Sequence, residues 1–390
     1  MKRSLILITI LLAACASNDK TDPNAAPVIT NPYSLGDGTT IPVGAIPAAV
    51  LHDAQRNKDI EVSIEYPTKG GPYPVLIFSP EYGGSRASYV ALSAFWAGHG
   101  YVVMKLSHAD AGATRAAMDR LMEERRAAGE QRNRGGRRGR DRQQTSQLQQ
   151  PGTFRPDPSQ GWESEQTPQD WQNRVADVRF IIDSLPRLIE QYPEIKERVD
   201  ATKIGVGGHS YGALTAMMTA ETDARVKVVE AMSPPGPLAD RGLTRESFAA
   251  IRVPALFLTG SRDFGATQTE DATWRKQAFD LSAPADKWYV SIQGAGRAAF
   301  TGNVGDFGAY QPYQPGDMPY PTNRPPIGGA YPQQQPMPRN NVPIVMGGPA
   351  SGTVRTLSLA FWDAYLKNDN GGREYLNKLK NRGDLRVETR

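Results

Sequence analysis

Gly208-His209-Ser210-Tyr211-Gly212 sets a serine between two glycines, and its flanks give that spacing chemical meaning. The strand-like run Lys203–Gly207 leads straight into it, and the small-residue helical run Ala213–Glu221 follows at once. In such a strand–turn–helix context a G-x-S-x-G segment is a nucleophile turn. The turn lifts the serine hydroxyl out of the sheet, while the glycines let strand and helix approach closely. The helix presents its positive end, so the Tyr211 amide becomes a donor for an oxyanion. Ser210 is the candidate nucleophile. A second donor is expected from the loop after an earlier strand. Pro80-Glu81-Tyr82-Gly83-Gly84 follows the apolar run Val75–Ser79, which makes the Tyr82 amide the candidate, with a plain glycine turn as the alternative.

The elements that must hold these groups are legible from residue 45 onward. Ile46–Leu51 and Ile60–Tyr66 alternate apolar and polar residues, as an antiparallel hairpin at a sheet edge does. Continuous apolar runs then mark buried strands at Val75–Ser79, Tyr101–Leu106, Lys203–Gly207, Val226–Ala231, Ala255–Thr259 and Trp288–Ile292. Helical patterns lie between and after them, at Ser88–Ala97, Asp170–Ile189, Ala213–Glu221, Ala272–Phe279 and Thr353–Lys367. Strands alternating with helices predict an α/β domain, with a mostly parallel central sheet, helices on both faces and an antiparallel N-terminal edge.

Beyond the serine turn, several segments resemble one group of proteins. They are His52 to Arg56, Val62 to Pro67, Phe78 to Tyr89, Gly98 to Val103, Leu106 to His108, Asp177 to Asp183, Pro254 to Asp263, Ile292 to Phe300 and Ala360 to Leu366. Together they resemble the predicted dienelactone hydrolase group, which is similar to platelet-activating-factor acetylhydrolases and PET-type polyester hydrolases. The resemblance implies the α/β-hydrolase fold and a serine, acid, histidine order along the chain. It implies that Asp263, in the turn after Ala255–Thr259, is the carboxylate that orients the base; a turn aspartate accepting backbone amides is the alternative. It also implies a histidine in the turn after the last strand. Here that turn reads Gly294-Ala295-Gly296-Arg297-Ala298-Ala299-Phe300, so Arg297 occupies the base position.

Arginine cannot replace that histidine. Its guanidinium has no lone pair to take a proton and stays charged at any useful pH. An Arg297–Asp263 ion pair would fill the space and leave Ser210 an ordinary alcohol. Of the four histidines, His209 should pack away from Ser210, His99 should be exposed in a helix-to-strand turn, and His52 belongs to the edge hairpin. His108, at the end of a central strand, is the candidate substitute base. The histidines have no metal-ligand spacing, so no metal and no cofactor is expected.

The remaining segments concern address and surroundings. Met1-Lys2-Arg3, the apolar stretch Leu5–Ala14 and Leu12-Ala13-Ala14-Cys15 resemble a bacterial lipoprotein leader with its lipidation box. The expectation is a signal peptide at 1–14, a lipid on Cys15, a tether at 15–40, and one domain over 41–390. Export and anchoring follow, with outer-membrane residence favoured by Ala16. Segments 115–166 (Gly/Arg/Gln-rich) and 308–343 (Pro/Gln/Tyr-rich) read as insertions, as spacers or, more sharply, an envelope-polymer contact and a lid. The net charge of +4 is local, because Arg115–Arg142 holds 10 arginines against 5 acids and the rest has 35 basic against 36 acidic residues. Nucleic acid is therefore not expected as a partner. The expected ligand is a small-molecule or lipid-like ester, with the pseudo-hydrolase as the alternative.

Overall fold

A computed structural model describes residues 22, 24–34, 38–112, 167–265, 270–301 and 349–390. Cys15 with its leader, and the segments 115–166 and 308–343, lie outside the described residues.

One nine-stranded sheet organises the rest. In chain order the strands are β1 (Val43–Asp53), β2 (Lys58–Pro67), β3 (Tyr73–Ser79), β4 (Val102–Leu106), β5 (Val199–His209), β6 (Val226–Met232), β7 (Ala255–Gly260), β8 (Lys287–Ile292) and β9 (Leu385–Thr389). Their order across the sheet is β1-β2-β4-β3-β5-β6-β7-β8-β9. β1 and β2 form the antiparallel N-terminal edge, the pairs from β4 through β8 are parallel, and β9 closes the far edge antiparallel to β8.

Alternation along each strand feeds two apolar layers. On β3, Val75 and Ile77 join the layer covered by α2 (Pro168–Asp183), α4 (Tyr211–Thr222), α5 (Arg245–Ala249) and α6 (Ala272–Leu281). Leu76 and Phe78 point the other way, into the layer with α1 (Val90–Gly98), α7 (Pro349–Leu366) and α8 (Asn370–Leu379). Covering both faces is why these strands read as unbroken apolar runs.

Three expectations need correction. The helix expected over Asp170–Ile189 is two helices, α2 and α3 (Leu185–Gln191), parted at Ser184. Pro186 lacks an N–H and restricts the residue before it, so one helix cannot run through. The start lies earlier too, where Thr167 and Asp170 form a capping box. α8 and β9 were not foreseen, since α8 opens on Gly371-Gly372 and the edge strand β9 has no buried apolar run. His99 sits in the expected turn but is buried, with Nδ1 2.7 Å from the Phe95 carbonyl oxygen.

Candidate active site

β5 runs into Ser210, whose backbone adopts φ 56°, ψ −116°, and α4 starts at Tyr211. A non-glycine residue there is strained, by about 1–3 kcal/mol, and the surroundings must impose it. They do so by close packing. A Cβ on Gly212 would lie 1.9 Å from the Ser79 carbonyl oxygen, and one on Gly208 would lie 2.1 Å from the Gly212 carbonyl oxygen. The Ser210 amide donates to the Met232 carbonyl oxygen at 2.8 Å, tying the turn to β6.

The loop expected to supply the second oxyanion donor is held by charge. Arg174 on α2 is buried and donates to the carbonyl oxygens of Pro80 (2.9 Å) and Glu81 (3.1 Å). The same guanidinium binds both oxygens of Asp110 at 3.0 Å, and Asp110 accepts the Gly83 amide at 2.8 Å. Arg174 also lies 4.7 Å from the centre of the Tyr211 ring, and the Tyr82 ring meets Tyr211 edge-on at 6.3 Å. The two candidate amides, of Tyr82 and Tyr211, thus belong to neighbouring residues, and the Tyr211 N–H has no acceptor within its own helix.

Arg297 reaches the candidate nucleophile. Its Nη2 donates to Ser210 Oγ from a short 3-10 turn, Arg297–Phe300, after β8. Asp263 is fully buried beyond β7, where Oδ2 accepts from the Thr259 hydroxyl at 2.9 Å. Its ion pair is with Arg275, not foreseen from sequence: Nε lies 3.1 Å from Oδ1 and donates to the Asp263 carbonyl oxygen, also at 3.1 Å.

The histidines lie as follows. His108 gives both ring nitrogens to other groups, with Nε2 2.9 Å from Ser79 Oγ and Nδ1 2.8 Å from Asp177 Oδ2. Serine, histidine and aspartate are linked in triad fashion, but at Ser79, which is fully buried, as is Asp177. Burial pulls His108 down to about 4, helped by the Arg174 charge and opposed by Asp177. Burial works against the Asp177 charge, yet His108 and Lys58 hold it down at about 2. A neutral His108 therefore donates from Nδ1 to Asp177 and accepts the Ser79 hydroxyl hydrogen at Nε2.

His209 is buried beside Tyr89, whose hydroxyl is 2.7 Å from Nδ1 and donates to Glu81 Oε2. Its Nε2 is buried without a hydrogen-bond partner among the described residues. His52 sits on the edge hairpin, 2.7 Å from Asp59. No cluster of His, Cys, Asp and Glu suited to a metal ion occurs among the described residues.

Ser210 opens on a cleft of about 490 Å³, counting its mouth, walled by Trp171, Leu214, Leu238, Leu243 and Trp274. The Trp171 and Trp274 indole N–H groups donate to the carbonyl oxygens of Arg241 (3.1 Å) and Pro237 (3.3 Å), which fixes both rings as walls.

Comparison with known families agrees with this architecture. Residues 41–152 match the family described as platelet-activating factor acetylhydrolase, isoform II. Residues 99–348 match the one described as alpha/beta hydrolase family. No curated protein matches the sequence significantly. With more than half of its length under the second match, and a strained serine at the mouth of a mostly parallel sheet, this chain belongs to the alpha/beta hydrolase family.

Proposed function

We propose that this chain is a cell-envelope lipoprotein of the serine ester hydrolase class, anchored through Cys15 and exported, with outer-membrane residence the favoured address. It recognises a carboxylic or lipid-like ester at Ser210, with the Tyr82 and Tyr211 amides placed for the oxyanion. The observation that carries this reading is the strained Ser210 at the start of α4, opening on a cleft of Trp and Leu side chains that Arg241, Glu270 and Arg275 also line. Hydrolysis is slow, because the contact that a base should make with Ser210 Oγ is made by Arg297. Loss of the base costs about 10⁴- to 10⁶-fold in rate.

That same contact favours a second reading, a pseudo-hydrolase that keeps the fold to bind a ligand at the envelope. A long-chain fluorophosphonate probe tests the ester reading. Prolonged incubation is expected to label the wild-type chain and not Ser210→Ala. Equal labelling of the two would end the assignment of Ser210.

A further inference from the structure

We propose that residues 24–33 clasp the body at the end of the sheet opposite Ser210, so that the membrane-anchored chain turns its cleft toward water. On the reading of Cys15 as the lipidated residue, on which this depends, the ester reaches Ser210 from solution and not from the anchoring bilayer.

By composition 15–40 reads as a tether, yet two contacts bind part of it to the body. At the first, the Asn24 carbonyl oxygen accepts the Gly70 amide at 2.8 Å, and Asn24 Oδ1 accepts from Arg198 Nη2 at 2.9 Å. Arg198 also donates through Nη1 to the Gly70 carbonyl oxygen, so one guanidinium joins both segments. Ala26 packs on Gly70, where an added Cβ would lie 2.8 Å from the Ala26 Cβ. At the second contact, the Tyr33 hydroxyl donates to Asp363 Oδ2 at 3.1 Å, and its ring centre lies 4.8 Å from that of Tyr375. Asp363 is buried, and its Oδ1 holds Tyr101 Oη at 2.7 Å and Lys367 Nζ at 2.9 Å. Pro27 and Pro32 limit the freedom that the segment loses on docking.

Both contacts lie at one end of the sheet. Gly70 precedes β3, Tyr101 precedes β4 and Arg198 precedes β5, and these three strands run parallel. Ser210 follows the other end of β5. Between those ends β3 runs from Tyr73, paired with Val199, to Ser79, paired with Gly208. Six residue steps of about 3.3 Å set the clasp about 20 Å or more from the cleft.

Length then decides orientation. Asn24 is nine positions from Cys15, a stretch that can reach about 30 Å at most. A free tether as far as Ile41, 26 positions away, would reach about 90 Å and let the body lie either way up. With the clasp closed, laying the cleft on the bilayer would lift Asn24 about 20 Å or more from it. That takes up most of the available reach, at a cost in conformational entropy. The closed clasp therefore favours a cleft that faces away from the anchor.

Spin labels on the unlipidated mature chain test the clasp without a membrane. Cys15 is the only cysteine, so one label goes there. The second goes on Lys69→Cys, beside Gly70, or on Asp240→Cys, beside the cleft residues Leu238 and Arg241; both positions are exposed. The mean distance from Cys15 is expected to be at least about 10 Å shorter to position 69 than to position 240. The double variant Asn24→Ala/Tyr33→Ala should cut that gap by about half or more. Equal distances in the wild-type background would overturn the proposal, as would an undiminished gap in the double variant. Should the double variant misfold by circular dichroism, the wild-type distances decide alone.

The lipidated chain in vesicles tests the orientation. With a dye at position 69 or 240 and an acceptor on the lipid headgroups, transfer from 69 should be at least about twofold greater. Equal transfer, or more from 240, refutes a cleft turned toward water. A chain that does not enter vesicles removes the Cys15 anchor, and the spin-label distances still decide the clasp.

Discussion

Arg297→Gln removes a charge, but Arg297→His is expected to restore chemistry: turnover of p-nitrophenyl butyrate should rise by about 10²- to 10⁴-fold over wild type. The strained turn at Ser210, a loop held by Arg174 and a buried carboxylate at Asp263 are present, and on the proposed reading what the site lacks is proton acceptance. A neutral imidazole supplies that lone pair. The gain should fall short of a complete triad for a stated reason. Asp263 Oδ1 faces Arg275 at 3.1 Å and Oδ2 holds the Thr259 hydroxyl, so it is not placed purely to orient a new ring. Initial rates of Arg297→His against the Arg297→His/Ser210→Ala double variant measure the effect. If the gain survives loss of Ser210, the hydrolysis comes from elsewhere. No gain from a folded single variant would mean that more than the base has been lost.

Asp177→Ala should destabilise the fold by about 3 kcal/mol or more. Asp177 is fully buried and accepts from Lys58 (2.6 Å), Arg56 (2.6 Å) and His108 (2.8 Å). Removing it strands the Lys58 ammonium and a buried imidazole and takes from Arg56 one of its two carboxylate partners, Asp53 being the other. Asp177→Asn keeps the shape and should lose less. The effect reaches the site, since His108 fixes the Ser79 side chain and the Ser79 carbonyl packs against Gly212. In the Arg297→His background, Asp177→Asn should therefore lower turnover as well as melting temperature.

The same network sets a pH dependence. His108, lowered from 6.5 to about 4, binds a proton more readily unfolded than folded, so stability falls as pH drops from about 6.5 to 4. Asp177, lowered from 3.8 to about 2, contributes stability that is present above 3.8 and lost as pH falls toward 2. Both signs point to loss in acid. Thermal melts of wild type from pH 7 to 4 should show the decline, and a shallower slope in His108→Gln would assign the upper part of it.

What the sequence revealed follows from how local each signal is. The Ser210 turn is written in five consecutive residues with a strand before and a helix after, and it is present as read. The arginine opposite Ser210 was legible only because a resemblance marked where a histidine belonged. Pairings across long separations were not legible: Arg174 with Asp110, 64 residues apart, and His108 with Asp177, 69 apart. One signal for them did exist. Arg174 and Asp177 fall on the buried stripe of α2 with Val175, Val178 and Ile181, where a charge demands a partner. Arg275 is similarly buried on α6 beside Ala278 and Phe279. His108, at a strand end, pointed toward the nucleophile by position, and only side-chain geometry shows its commitment to Ser79.

The most direct measurement is Ser210-dependent turnover by the unaltered chain. Initial rates of p-nitrophenyl butyrate hydrolysis should be compared for wild type and Ser210→Ala at pH 7 to 8. With a guanidinium on the hydroxyl, the two should differ by no more than about tenfold. Wild-type turnover on the ordinary enzyme scale, about 1–10³ per second and abolished in Ser210→Ala, would contradict the account by showing that some group still takes the serine proton.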